Sequence, residues 1–136
     1  MKLVLDTNVF ANKKFCDWLR QHDKVEKVIP CIAYMELMYH YLKRGKTEDF
    51  TNRFLDVRGV EVAPLDIKTA GAAARAAIKR WDFKERARDY TIGATALARG
   101  AKLVTYNKKD FEWLPRNNVL LPDELLKTKI EAPKPI

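Results

Sequence analysis

Leu3-Val4-Leu5-Asp6-Thr7-Asn8 is the stretch whose reading decides the fold. Three apolar residues in a row, without alternation, read as a short strand covered on both faces, the pattern of a parallel sheet held between helices. Asp6, Thr7 and Asn8 then supply turn and N-cap chemistry, and Val9, Phe10, Phe15, Trp18 and Leu19 suit a helix that follows. Strand, polar corner and helix open a βα unit.

The alternation continues along the chain. Val28-Ile29 is a second strand, Pro30 suits the first turn of a helix reaching about Lys43, and a further helix covers Glu48 to Leu55. Val60-Glu61-Val62 is a third strand, and Asp66 is placed to cap an alanine-rich helix from Ile67 to about Trp81. The charged segment from Asp82 to Arg88 reads as a loop or irregular helix start, before a helix from about Asp89 to Arg99 that Gly100 closes. Lys102 to Thr105 is a fourth strand, Phe111 to Leu114 a helical turn, Val119 to Leu121 a last strand and Pro122 to Leu126 a short helix. Strands separated by helices predict an α/β fold around a parallel sheet. Residues 1–128 are expected to form one domain, with 129–136 a flexible C-terminal tail.

Composition narrows the function. A chain of 136 residues, 47% hydrophobic and 32% charged, has the balance of a soluble protein with one core. Its net charge of +8 attracts polyanions, of which nucleic acid is the commonest. Cys16 and Cys31 form no Cys-x-x-Cys motif, which suits a reducing cytoplasm. The first apolar run is too short for a secretory leader, and no stretch nears the roughly 20 apolar residues of a membrane span. A cytoplasmic protein with no membrane partner is expected.

In open parallel sheets, ligands bind beyond the carboxyl ends of the strands, where strand order reverses. Asp6 and the loop from Thr105 to Asp110 both follow strands and so belong to that edge. Asp6 alone is equally explained as a helix cap. Glu36 is the only acid between Ile29 and Leu42, on a helix apolar nearly all round, which predicts burial and a partner; His40, one turn on, is the local candidate. Asp89 could simply complement a helix dipole, and Asp110 could be a turn residue.

Together the four acids say more. Clustered carboxylates repel one another, and a divalent cation removes that penalty. All-oxygen donors favour Mg²⁺ or Mn²⁺ over zinc, for which no Cys/His set exists. Such a cluster suits phosphodiester hydrolysis, in which side chains need only hold metal. No Ser-His-Asp or Cys-His arrangement and no Walker-type loop points elsewhere.

Leu5-Asp6-Thr7-Asn8-Val9-Phe10, Glu36 in its apolar helix, Asp89-Tyr90-Thr91-Ile92-Gly93-Ala94 and Val104-Thr105-Tyr106-Asn107-Lys108-Lys109-Asp110-Phe111 together resemble the PIN domain family, and the compact size resembles its VapC-type toxins of toxin–antitoxin pairs. The resemblance covers nearly the whole chain. It implies a Rossmann-like three-layer α/β/α sandwich and an endoribonuclease whose Asp6, Glu36 and Asp89 hold Mg²⁺ or Mn²⁺. Either Asp110 or Asn107 would complete the metal shell; Asn107 stands where many relatives carry an acid. Thr7, Asn8 and Thr105 match positions that support the cluster by hydrogen bonds.

Lys84, Arg86, Arg88, Lys108 and Lys109 could grip RNA phosphates beside the cut, although solvated surface explains any one of them. The alanine-rich helix and the Tyr/Met-rich helix could present a homodimer face or simply pack. The partners expected are therefore RNA, an antitoxin protein and a second copy of the chain. Other readings stand beside the toxin: an RNA-processing or decay nuclease, or a non-catalytic RNA-binding module of the same fold. A phosphate-handling enzyme with Asp6 as nucleophile, of the haloacid-dehalogenase kind, would need an acid at Asn8 and lacks it.

Overall fold

A run such as Leu3-Val4-Leu5 can be buried on both faces only if helices cover the sheet from either side. In the computed structural model, which describes residues 1–128, these three residues are at most 1% exposed. They belong to β1 (Lys2–Leu5), the middle of a five-stranded, all-parallel sheet. The others are β2 (Glu26–Pro30), β3 (Val60–Ala63), β4 (Lys102–Val104) and β5 (Val119–Leu120), in the order β3-β2-β1-β4-β5. The architecture is a three-layer α/β/α sandwich, as expected.

Strand order runs outward from β1 through β2 to β3, then returns to the other side of β1 for β4. The reversal falls between β1 and β4, where Leu3, Val4 and Leu5 pair with Lys102, Leu103 and Val104. Ligand sites of such sheets open at this crevice. Asp6 and Thr105 follow those two strands directly, and the Asp6 N–H donates to the Val104 carbonyl at 3.0 Å.

Among the described residues there are six α-helices, five between strands and the last after β5: α1 (Lys13–Gln21), α2 (Cys31–Lys43), α3 (Glu48–Val57), α4 (Ile67–Ala77), α5 (Phe83–Arg99) and α6 (Pro122–Lys127). Several boundaries differ from expectation for local reasons. The helix after Asp6 is two pieces, a 3-10 turn (Thr7–Ala11) and then α1, because Asn12 adopts extended backbone and caps α1 through the Phe15 N–H at 3.0 Å. Pro30 ends β2 and stands just before α2 rather than inside its first turn. α4 stops at Ala77, short of Trp81, whose φ of 62° is left-handed and incompatible with continuing a helix. Asp66 does cap it, accepting from the Thr69 N–H at 2.7 Å.

Two corrections bear on the site. α2 was expected to be largely buried, but only Ala33 and Leu37 are; Met35, Tyr39 and Leu42 face solvent. α5 starts at Phe83, not near Asp89, so the charged segment is mostly helix, bent at Arg86 (φ −127°, ψ 19°). Gly100 ends α5 in the left-handed conformation, as its position suggested. The segment 129–136, read as a flexible tail, lies outside the described residues.

α5 packs closely on α4, where Ala73, Ala77 and Ala94 are small enough to let the two backbones approach and the Tyr90 ring is buried against them. Gly93 lies where Trp113 presses on α5: a Cβ at that position would come within 2.6 Å of Trp113 Cη2 and 3.3 Å of Leu114 Cδ1. Alanine gains about 1 kcal/mol of helix propensity over glycine, whereas forcing a carbon into a filled contact costs about 1–3 kcal/mol. The clash outweighs the propensity. Gly93→Ala is expected to lower stability by about 1 kcal/mol and Gly93→Val by about 2–3 kcal/mol in urea melts; an alanine variant as stable as the parent would show that Trp113 yields freely.

Candidate active site

β1 places Asp6 at the crevice with no exposed surface at all. An ionised carboxylate there costs several kcal/mol, as an order of magnitude, unless donors replace its water. Four do. Its Oδ1 accepts from the Thr7 N–H at 2.7 Å and from Arg88 Nη2 at 2.6 Å, and its Oδ2 accepts from Thr105 Oγ1 at 2.8 Å and Asn8 Nδ2 at 3.5 Å. Asp6 is a cap, as its simplest explanation held, and it also belongs to a charge cluster.

Arg88 organises that cluster. Its Nε donates to Glu36 Oε2 at 2.7 Å and its Nη1 to Asp89 Oδ1 at 2.9 Å, so one guanidinium engages three carboxylates, carried by β1, α2 and α5, through three nitrogens. Glu36 completes its bonding through Oε1, which accepts from Thr7 Oγ1 at 2.8 Å. Its partners are Thr7 and Arg88 rather than the exposed His40. Burial works against the charge on Arg88, but the hydrogen bonds and attraction of Glu36 and Asp6 outweigh it and hold the guanidinium above the ordinary arginine range. Burial pushes the Asp89 carboxyl up; the Arg88 hydrogen bond opposes this, and repulsion from Asp110 and Asp6 adds to it.

A second guanidinium extends the array. Arg86, at the bend of α5, donates to Asp110 Oδ1 at 2.5 Å and lies 3.6 Å from Asp89 Oδ2 and 3.5 Å from Asp82 Oδ2. Asp110 thereby joins the cluster beside Asp89. Asn107 is exposed and meets the site through its backbone N–H, which donates to Thr105 Oγ1 at 3.0 Å. Asn8, besides its contact to Asp6, accepts from the Tyr106 N–H at 3.2 Å and so ties the loop after β4 to the turn after β1. Of the basic residues singled out, Lys84 and Lys109 are exposed and Lys108 pairs with Glu124 at 2.6 Å.

With all groups ionised, five carboxylates (Asp6, Glu36, Asp82, Asp89 and Asp110) face two guanidiniums, leaving the cluster three charges negative. Among the described residues no three acids, histidines or cysteines stand in ready metal-binding geometry; Asp6, Glu36 and Asp89 fan around Arg88 instead. Their chemistry nonetheless fits a hard divalent cation, because three oxygen-donor side chains from separate elements converge on one positive centre and a net negative charge remains. Beside them, on the Thr7, Asn8 and Glu36 side, opens a groove of about 820 Å³ whose rim carries Lys13, Arg44 and Arg58.

The bridging role of Arg88 is what sequence reasoning missed. Its signal was the Lys84-Glu85-Arg86-Ala87-Arg88-Asp89 run, in which basic and acidic side chains alternate immediately before a candidate metal ligand.

Comparison with known proteins bears on the fold and the family. No curated protein matches the sequence. Among solved structures, the toxin–antitoxin complex from Klebsiella pneumoniae is similar with a TM-score of 0.68 at 23% identity, covering 88% of this chain and 97% of that one. VapBC2 from Rickettsia felis, bound to a DNA fragment from its promoter, gives 0.63 at 22% identity over 89% and 97%. PAE2754 from Pyrobaculum aerophilum gives 0.61 at 16% over 93% and 87%. At these identities the likeness is one of fold. The sequence model of the PIN domain matches residues 3–116, most of the chain and every acid of the cluster, and the chain belongs to the PIN domain family.

Proposed function

We propose that the protein is a metal-dependent endoribonuclease of the cytoplasm, acting as the toxin of a toxin–antitoxin pair. The observation that carries the reading is the convergence of Asp6, Glu36 and Asp89 on a single cationic centre at the sheet crevice. These three would hold Mg²⁺ or Mn²⁺, with Asp110 rather than Asn107 completing the set, since Asp110 lies in the charge array and Asn107 faces solvent. When bound, the metal supplies the Lewis acidity that lets water attack a phosphodiester near neutral pH and that shields the leaving oxygen.

The chain's own residues do the positioning. Thr105 and the Thr7 N–H fix the two oxygens of Asp6, and the Thr7 hydroxyl fixes one oxygen of Glu36. Each of these carboxylates therefore presents a defined edge to the cation. Lys84 and Lys109 are exposed and stand close in sequence to Asp82 and Asp110, and the chain is basic overall, which suits a negatively charged backbone drawn toward a locally acidic site. The groove with its Lys13, Arg44 and Arg58 rim suits an acidic stretch of an antitoxin, the class of partner named for the Klebsiella pneumoniae complex. A homodimer would find apolar surface at the exposed Ile78, Trp81 and Phe83.

Labelled single-stranded RNA incubated with Mg²⁺, Mn²⁺ or EDTA tests the reading, with Asp6→Asn prepared identically as the control for contaminating ribonuclease. Cleavage that needs metal and vanishes in the variant is expected. RNA that binds and stays intact under every metal would favour a non-catalytic RNA-binding module. Thr105→Val is expected to retain the fold and lose about 10–100-fold in metal affinity or cleavage; full activity would deny its hydroxyl a positioning role. Asp110→Asn is expected to cost at least about tenfold and Asn107→Ala no more than about twofold, as for an ordinary surface change. The opposite ranking would move the fourth ligand to Asn107.

A further inference from the structure

We propose that Arg88 is a built-in competitor of the metal: its guanidinium and the divalent cation occupy the same carboxylates, so loading the site requires Arg88 to withdraw from Asp6 and Glu36. This inference rests on the proposed metal-holding role of those acids.

Three observations carry it. The guanidinium uses all three of its nitrogens, one on each of Asp6, Glu36 and Asp89, at 2.6, 2.7 and 2.9 Å. The guanidinium fills the space between these three oxygens, so a metal shared by the same three atoms cannot sit there while the fork remains. The side chain also has a way out, because it is 32% exposed whereas Asp6 is fully buried. The acid is thus fixed and the base is free to swing toward solvent. Finally, Arg88 precedes Asp89 on the same helix, two residues after the bend at Arg86, so removing its fork from Asp6 and Glu36 needs side-chain rotation and no rearrangement of the sheet.

The consequence is a site that is held together in either state. Asp6 and Glu36 approach one another only with positive charge between them, and the chain supplies that charge itself until a divalent cation, with twice the charge, takes it over. Metal affinity is lowered by the work of displacing the fork, which sets a threshold concentration of free metal for loading.

Isothermal titration of Mn²⁺ into the parent, Arg88→Met and Arg88→Lys tests this, alongside melting temperatures in EDTA and in Mn²⁺. Arg88→Met, of similar length and no charge, is expected to bind Mn²⁺ at least about tenfold more tightly, the change that loss of roughly one charge-assisted bond of competition would produce. It is also expected to melt lower than the parent in EDTA and to gain more from Mn²⁺. Arg88→Lys, a point charge that cannot fork across three carboxylates, should fall between them and covers the case in which the methionine variant fails to fold. As a direct readout, the Arg88 Nε–H resonance should shift and lose protection from solvent exchange as Mg²⁺ saturates the parent. Mn²⁺ binding that is present in the parent, lost in Asp6→Asn, and equal or weaker in both Arg88 variants overturns the competition and leaves the metal site standing. No Mn²⁺ binding by any variant overturns both.

Discussion

The buried Asp6 carboxylate is the constraint around which the rest is arranged. It ends the central strand of a sheet covered on both faces, where water cannot reach it, and a charge so placed persists only with a full set of donors. The turn after β1 gives one through the Thr7 N–H, the end of β4 gives another through Thr105, and α5 reaches across with Arg88. Each donor comes from a different part of the chain. The ionised acid therefore acts as a pin that fixes how β1, β4 and α5 meet, and it does so at the crevice that strand order opens.

Charge bookkeeping explains why such a pin suits a site rather than a core. A structural ion pair needs one cation per anion, and excess carboxylates would be eliminated by the repulsion they cause. Here five acids face two guanidiniums on a chain that is otherwise strongly basic. An acidic cluster on a basic chain is the charge distribution that the proposed metal-assisted phosphodiesterase would use, with the basic surface to draw in a polyanion and the surplus acids to hold a cation.

Much of this was legible in the sequence because it depends on period and adjacency. The unalternating Leu3-Val4-Leu5 run gave a doubly covered strand, and Asp6 directly after it had to lie at the sheet edge whatever the helices did. Gly100 announced a helix end. What was not legible depends on side-chain reach across the fold. Nothing in the spacing from Arg88 to Glu36 indicates that their side chains meet, so His40, one turn along the same helix, looked the better partner. The charged run before Asp89 read as a loop or an irregular helix start because its apolar content is low; it is the second, a helix start bent at Arg86, whose ion pairs to Asp82, Asp89 and Asp110 are compatible with helix there. Likewise α2 looked buried from its composition, although Cys31, Met35, Tyr39 and Leu42 face solvent. Composition records how much apolar surface a helix has, not how much of it the fold covers.

The central claim is that Asp6, Glu36 and Asp89 share one cation position. Anomalous diffraction from crystals grown or soaked in Mn²⁺ addresses it without relying on catalysis. The account predicts a strong manganese peak coordinated by these three carboxylates, with the Arg88 guanidinium withdrawn from Asp6 and Glu36. Crystals saturated with Mn²⁺ in which the guanidinium keeps all three contacts, and in which no manganese lies among the acids, would contradict it.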